Sequence, residues 1–159
     1  MASPNVIVAT GEPRGLFQEA TLKTAAAKPG QSVKLTGLSG VATDAFAGGC
    51  TVREYEVAPG FAGEVCVLIE KNLVGQTISD EHAVDDGVQY YIPLPGEPFY
   101  ALGLSGETLN VGTRGSFNAA GKLIADVDGP VICMDAGGAL AADTLLLCRV
   151  GHTDTVTAS

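Results

Sequence analysis

Basic residues are scarce in this chain. Nine Lys and Arg stand against 18 Asp and Glu over 159 residues, for a formal charge of −9. Nucleic-acid binding needs cationic side chains that displace the counterions condensed on phosphates, so no nucleic-acid partner is expected. The imbalance is uneven. Residues 1–34 hold Arg14, Lys23, Lys28 and Lys34 against Glu12 and Glu19, while residues 35–159 hold five basic residues against sixteen acidic ones. An acidic body of this kind stays soluble through self-repulsion.

Long apolar runs are missing as well. No 18-residue apolar stretch exists, so no membrane-spanning helix and no membrane partner is expected. Met1-Ala2-Ser3-Pro4-Asn5 lacks a basic region followed by an apolar one, and no secretory signal is expected. The four cysteines, Cys50, Cys66, Cys133 and Cys148, form no C-x-x-C pair. Structural zinc sites use close ligand pairs, and disulfides belong to oxidising compartments. Cys66 and Cys148 lie inside apolar runs, so the cysteines read as reduced core residues.

Catalytic patterns are equally thin. Only two histidines occur, His82 and His152. His82 sits in the densest acidic stretch, Ser79-Asp80-Glu81-His82-Ala83-Val84-Asp85-Asp86, where spaced carboxylates suit a hard cation. The Asp-x-Asp-x-Asp-Gly calcium loop is absent both there and at Asp126-Val127-Asp128-Gly129, and a solvated acidic loop is the plainer reading of 80–86. His152 falls near the C-terminus, where a loose tail is expected. Ser39 and Ser105 follow Gly-Leu, but Val41 and Glu107 replace the second glycine of a nucleophile elbow. Gly11–Gly15 is not followed by the Gly-Lys-Ser/Thr of a phosphate loop. No catalytic, cofactor-binding or metal residue is therefore assigned, and no enzymatic role is expected.

What the chain does contain is turn chemistry, with 21 Gly and 8 Pro. From Ser32 onward, short strand-like segments alternate with Gly- and Pro-containing turns: 32–36, 51–55, 64–70, 88–92, 99–104, 122–125, 131–134 and 144–150. Such spacing marks an all-β sandwich or barrel and not βαβ units. Val33/Leu35 and Val88/Tyr90/Ile92 recur at alternate positions, so each strand should bury one face. Residues 64–69 and 145–147 are more continuously apolar and suit central or interface strands. Ala136–Ala142 reads as a small helix or a close-packed turn. The aromatics Phe61, Phe99 and Tyr100 suit either core or intermolecular contact, with core favoured by their size.

The first 30 residues read differently. Pro4, Gly11, Pro13, Gly15, Pro29 and Gly30 interrupt regular structure, and only Val6–Ala9 looks strand-like. Glu19–Lys28 has helix propensity with a thin apolar face. The segment is expected to be an extended arm ordered by a partner surface, or a floppy terminus. The expected division is an arm over 1–30, a β-domain over 31–150 and a tail over 151–159. Candidate arm contacts are Val6, Ile7, Val8, Arg14, Leu16 and Phe17.

The most specific stretch is 86–124. It holds Asp86-Gly87-Val88-Gln89-Tyr90-Tyr91-Ile92-Pro93-Leu94-Pro95-Gly96-Glu97, then Gly106-Glu107-Thr108-Leu109-Asn110-Val111-Gly112, then Gly121-Lys122-Leu123. This arrangement resembles the capsid decoration (head cement) proteins of tailed bacteriophages. Lys28-Pro29-Gly30-Gln31-Ser32-Val33-Lys34-Leu35 is similar to that family's first strand, and Thr144–Val150 to its closing one. The likeness covers about residues 28–150 and leaves out the arm and the tail.

The resemblance implies a small β-tulip or barrel-like domain that works as a homotrimer. It further implies a virion location on the outer capsid surface, the major capsid protein as partner, no cofactor, and synthesis in the host cytoplasm. Other readings stay open: another virion structural protein such as a head-fibre base or tail component, a trimeric all-β hydrolase of the dUTPase type, or a biotinyl carrier module. The hydrolase reading wants a Gly-rich C-terminal phosphate motif, and no Gly follows Gly151. The carrier reading wants a Met-Lys-Met hairpin tip, and Lys122 lies between Gly121 and Leu123.

Overall fold

The computed structural model describes residues 7–9, 12–39, 52–60, 64–70, 77–135 and 137–151. Among them there is no helix, and the chain is all-β. Five strands form one sheet: β1 (Leu16–Lys23), β2 (Val33–Ser39), β3 (Val52–Val57), β4 (Val67–Ile69) and β5 (Gly87–Ile92), in the order β2-β3-β1-β5-β4. Further along come β6 (Pro98–Gly103), β8 (Arg114–Phe117), β9 (Leu123–Ala125), β10 (Val131–Cys133) and β12 (Thr144–Val150), which close into a barrel in the order β10-β12-β6-β9-β8. Two-residue strands β7 (Thr108–Leu109) and β11 (Gly138–Ala139) pair with each other beside it. Ala136–Ala142 is therefore not a helix but a turn carrying β11, with Ala136 outside the described residues.

The barrel interior follows from period-two alternation. Phe99 faces Cys148, Ala101 faces Leu146, Val131 faces Val150 and Phe117 faces Leu123 across adjacent strands, and all eight are buried. Few strands leave a narrow lumen, which small inward residues accommodate. Gly115 on β8 shows how narrow: a Cβ there would lie 2.6 Å from the Ile124 carbonyl oxygen and 2.8 Å from Leu123 Cδ1. Phe99 thus belongs to the core and Tyr100 packs partly buried against it, while Phe61 lies outside the described residues.

The five-stranded sheet packs into two cores, and its β4–β5 side is covered on both faces. Cys66, Leu68, Val88 and Tyr90 join Ala20, Leu22, Ala27, Val33 and Tyr55 in a second core. Their alternates Val65, Val67, Ile69 and Tyr91 join the barrel core. That double burial explains the unbroken apolar run at 65–69. β4 is the last strand in its sheet's pairing order, yet it is an interface strand between two cores.

The expected extended arm is corrected here. Leu16–Lys23 is a central strand, parallel to β3 (Thr21↔Glu54) and antiparallel to β5 over Leu16↔Ile92 to Thr21↔Gly87. The helix suggested by Glu19–Lys28 is likewise absent: Ala20 and Leu22 are buried on one face, a period-two pattern. Pairing on both sides with burial outweighs alanine's helix propensity, which amounts to at most about 1 kcal/mol per residue. Thr24, at φ 79°, then turns the chain out of the strand. Because β1 sits among residues 33–92, a boundary at residue 30 does not separate two units. Gly151 is buried, and 152–159 lie outside the described residues.

Candidate interaction surface

Two buried carboxylates tie the front of the chain to the fold. Glu70 Oε2 accepts the Ile7 N–H at 3.0 Å. The neighbouring backbone continues the attachment, with Val8 bridging Phe99 and the Tyr100 N–H donating to the Ile7 carbonyl at 2.7 Å. Glu97 holds the next stretch. Its carboxylate accepts the Arg14 N–H at 2.5 Å, the Leu94 N–H at 2.7 Å and the Tyr91 hydroxyl at 2.7 Å. The Tyr91 oxygen in turn accepts the Gly15 N–H at 3.2 Å. Burial pushes the Glu97 carboxyl upward, but these three donors outweigh burial and hold it below the ordinary glutamate value. Burial and the Glu97 bond push the Tyr91 phenol up to about 12.

The expected contact residues separate on this scaffold. Ile7 is wholly buried in the chain's own core, and Val8 packs against that core partly buried. Val6 lies outside the described residues. Arg14 is exposed, and Leu16 and Phe17 keep 48% and 44% of their surface in solvent. Phe17 leans on Tyr91 with ring centroids 4.5 Å apart, and Leu16 pairs with Ile92. Leu94, 45% exposed, follows on from β5. Glu97 thus anchors the backbone at Arg14 and Leu94, while the exposed Leu16 and Phe17, consecutive on β1, stand on opposite faces of the sheet.

A second exposed apolar region was not anticipated from sequence. Val111 and Val127 are 66% and 85% exposed at turn tips, and Met134 is 43% exposed just past β10. Between the two turns runs a shallow groove of about 400 Å³ lined by Gly112, Thr113, Arg114, Ala125, Asp126 and Val127. A signal did exist. Each valine stands between turn formers, Asn110/Gly112 and Asp126/Asp128, where a β-branched residue has no local reason to be.

The acidic loop is organised by its own side chains. Asp80 Oδ2 accepts from the Thr77 N–H at 2.6 Å and the Thr77 hydroxyl at 3.0 Å, and these bonds hold its carboxyl below the ordinary value. Asp86 accepts the Ala83 N–H, and Asp85 pairs with Lys23. His82 is wholly buried, its N–H and carbonyl both bonded to Ala27. Among the described residues no group of three or more His, Cys, Asp or Glu is placed to hold a metal ion. Ser105 directs its hydroxyl to the Ala141 carbonyl, and the Lys122 amine reaches Asp143 at 2.5 Å. Ser39 lies on β2, and His152 is outside the described residues.

The class these features define is an all-β protein in which a closed five-stranded barrel shares its core with a five-stranded sheet and leaves apolar patches on its surface. No protein-family model matches the chain, and no curated protein matches it.

Proposed function

We propose that the chain is a capsid decoration protein of a tailed bacteriophage, binding the outer surface of the head and stabilising contacts between capsomers. The observation carrying this reading is the resemblance of residues 86–124, whose Gly96, Gly106, Gly112 and Gly121 all adopt positive φ. Positive φ at those positions supports reading the glycines as turn positions that the backbone requires and not as a chance string. The homotrimer and the β-tulip architecture belong to the same proposal. The partner is the major capsid protein, and the exposed Arg14, Leu16 and Phe17 beside the Glu97 anchor are the favoured contacts.

The surface chemistry suits such a role. A specific interface buries upward of ~1,000 Å² in total, more than a few exposed side chains supply. Three copies held together present three patches at once, and linked sites raise effective concentration without any new contact. Weak single contacts then suffice on a repeating lattice. Cryo-electron microscopy of purified virions from the source phage tests the proposal. It predicts density for this chain outside the shell, around three-fold positions, together with sedimentation of the isolated protein at three times its 16.1 kDa mass. Virions that lack the chain would overturn the proposal, and location on a tail or fibre would redirect it to another virion role.

A further inference from the structure

Cys133 on β10 and Cys148 on β12 are register partners in the barrel wall. The flanking ladder bonds define their type of pairing. Met134 N–H donates to the Leu147 carbonyl at 2.8 Å and Gly151 N–H to the Pro130 carbonyl at 2.7 Å, so the residue pairs 134/147 and 130/151 are hydrogen-bonded ones. Alternation makes 133/148 a non-hydrogen-bonded pair. The Cys133 backbone agrees: its N–H donates to Thr113 and its carbonyl accepts from Gly112, both away from β12. In such pairs Cα atoms stand about 4.5 Å apart, inside the roughly 4.4–6.8 Å span a disulfide requires.

From this register we infer that Cys133 and Cys148 form a reversible cross-strand disulfide that fastens β10 to β12 in the barrel wall. The inference rests on strand geometry alone and does not depend on the proposed function. The Cys133 thiol donates to the Asp135 carbonyl at 3.3 Å, and the neighbouring Cys148 draws Cys133 down to about 7 while Cys148 itself is pushed upward. Cys133 is thereby the attacking thiolate near neutral pH. Cys133 is itself buried but precedes the exposed Met134 at the end of β10, so a small reagent reaches it through local opening of that strand end. Cys66 is buried in the other core, and burial pushes its thiol well up, so it serves as an internal control.

The oxidant required is a low-molecular-weight disulfide. The Cys133 thiolate attacks one of its sulfurs, forming a mixed disulfide and expelling one small thiolate. The Cys148 thiol then loses its proton and attacks the Cys133 sulfur, closing the intramolecular bond and expelling the second small thiolate. Two protein thiols are oxidised, one small disulfide is reduced to two thiols, and the two protons pass to the released thiolates.

The test is to incubate the full chain with oxidised glutathione, block remaining thiols with iodoacetamide and digest with trypsin. Cleavage after Lys122 and Arg149 places both cysteines on one peptide, Leu123–Arg149. The inference predicts that this peptide carries no alkyl group and is about 2 Da lighter than its fully reduced form. Closing a loop of this length should raise the melting temperature by about 6–12 °C, reversibly on adding a thiol reductant. Cys66→Ala should keep that rise and Cys148→Ala should abolish it. A doubly alkylated peptide, a glutathione adduct that never closes, or an unchanged melting temperature in the wild-type chain would each overturn the inference.

Discussion

The barrel and the five-stranded sheet reach burial by different routes. In the barrel, β8 and β9 join through the tight turn at Asn118–Gly121, and the strands derive from one stretch, 98–150. The sheet is assembled from strands far apart in sequence: β1 lies between β3 and β5, so the register of residues 16–23 is fixed by residues 54–56 and 87–92. One region is specified mainly by its turns, the other by packing partners that must first be brought together. Loop closure over long separations costs entropy before any contact offsets it. The sheet should therefore be the later and more fragile of the two to form.

Truncating the centre of each core probes that contrast with the largest effects. Leu146→Ala in the barrel and Leu22→Ala in the sheet each remove a buried side chain and should cost about 2–5 kcal/mol. Val67, Ile69 and Tyr91 belong to sheet strands but pack in the barrel core, so both variants should melt in one transition. Two transitions by calorimetry in Leu22→Ala would show the regions to be separate cooperative units.

Gly121 is where the regions touch, and it yields the next largest effect. It sits at φ 65°, and a Cβ there would run into the Ser32 carbonyl oxygen and come within 2.8 Å of Val57 Cγ1. Gly121→Ala should cost about 2–3 kcal/mol, seen as a lower denaturant midpoint with an unchanged slope.

Glu97 links the front of the chain to both regions. Glu97→Gln keeps the shape but replaces one acceptor oxygen with a donor amide, at an expected cost of about 1–3 kcal/mol. Its folded carboxyl lies below the unfolded value, so its contribution is present above pH ~4.3 and fades as pH falls through the lower folded value. Wild type should lose stability across that acidic window more steeply than Glu97→Gln. Parallel pH profiles of melting temperature would remove Glu97 from the account.

The smallest effect on stability should carry the largest on binding. Arg14→Glu and Leu16→Ser alter exposed side chains and should shift stability by no more than about 0.5 kcal/mol. On the proposed capsid-binding function, co-sedimentation with decoration-free phage heads should fall at least tenfold, with melting temperature as the control. Binding equal to wild type would move the contact elsewhere, with the Val111–Val127 groove the next surface to test.

How much was legible follows the same division. β5, β6, β9, β10 and β12 declare themselves through apolar alternation bounded by Gly and Pro turns, and Thr144–Val150 matches to the residue. β8 escaped because Gly115 and Arg114 dilute its pattern, although the close approach of Ile124 and Leu123 is what requires that glycine. β1 escaped for a different reason: Thr24-Ala25-Ala26-Ala27 suggests a helix locally, and only the flanking strands reveal Leu16–Lys23 as extended. At the candidate surface, composition named Arg14, Leu16 and Phe17. It had no means of telling them from Ile7, because that distinction depends on Glu70 capturing the Ile7 N–H from 63 residues away.

The most direct measurement of the central claim is the temperature at which DNA-filled heads rupture, followed by dye access to the genome, with and without this chain bound. A shell-stabilising protein should raise that temperature on rebinding to stripped heads, saturating when its sites are filled. Stripped and refilled heads that release their DNA at the same temperature would contradict the account.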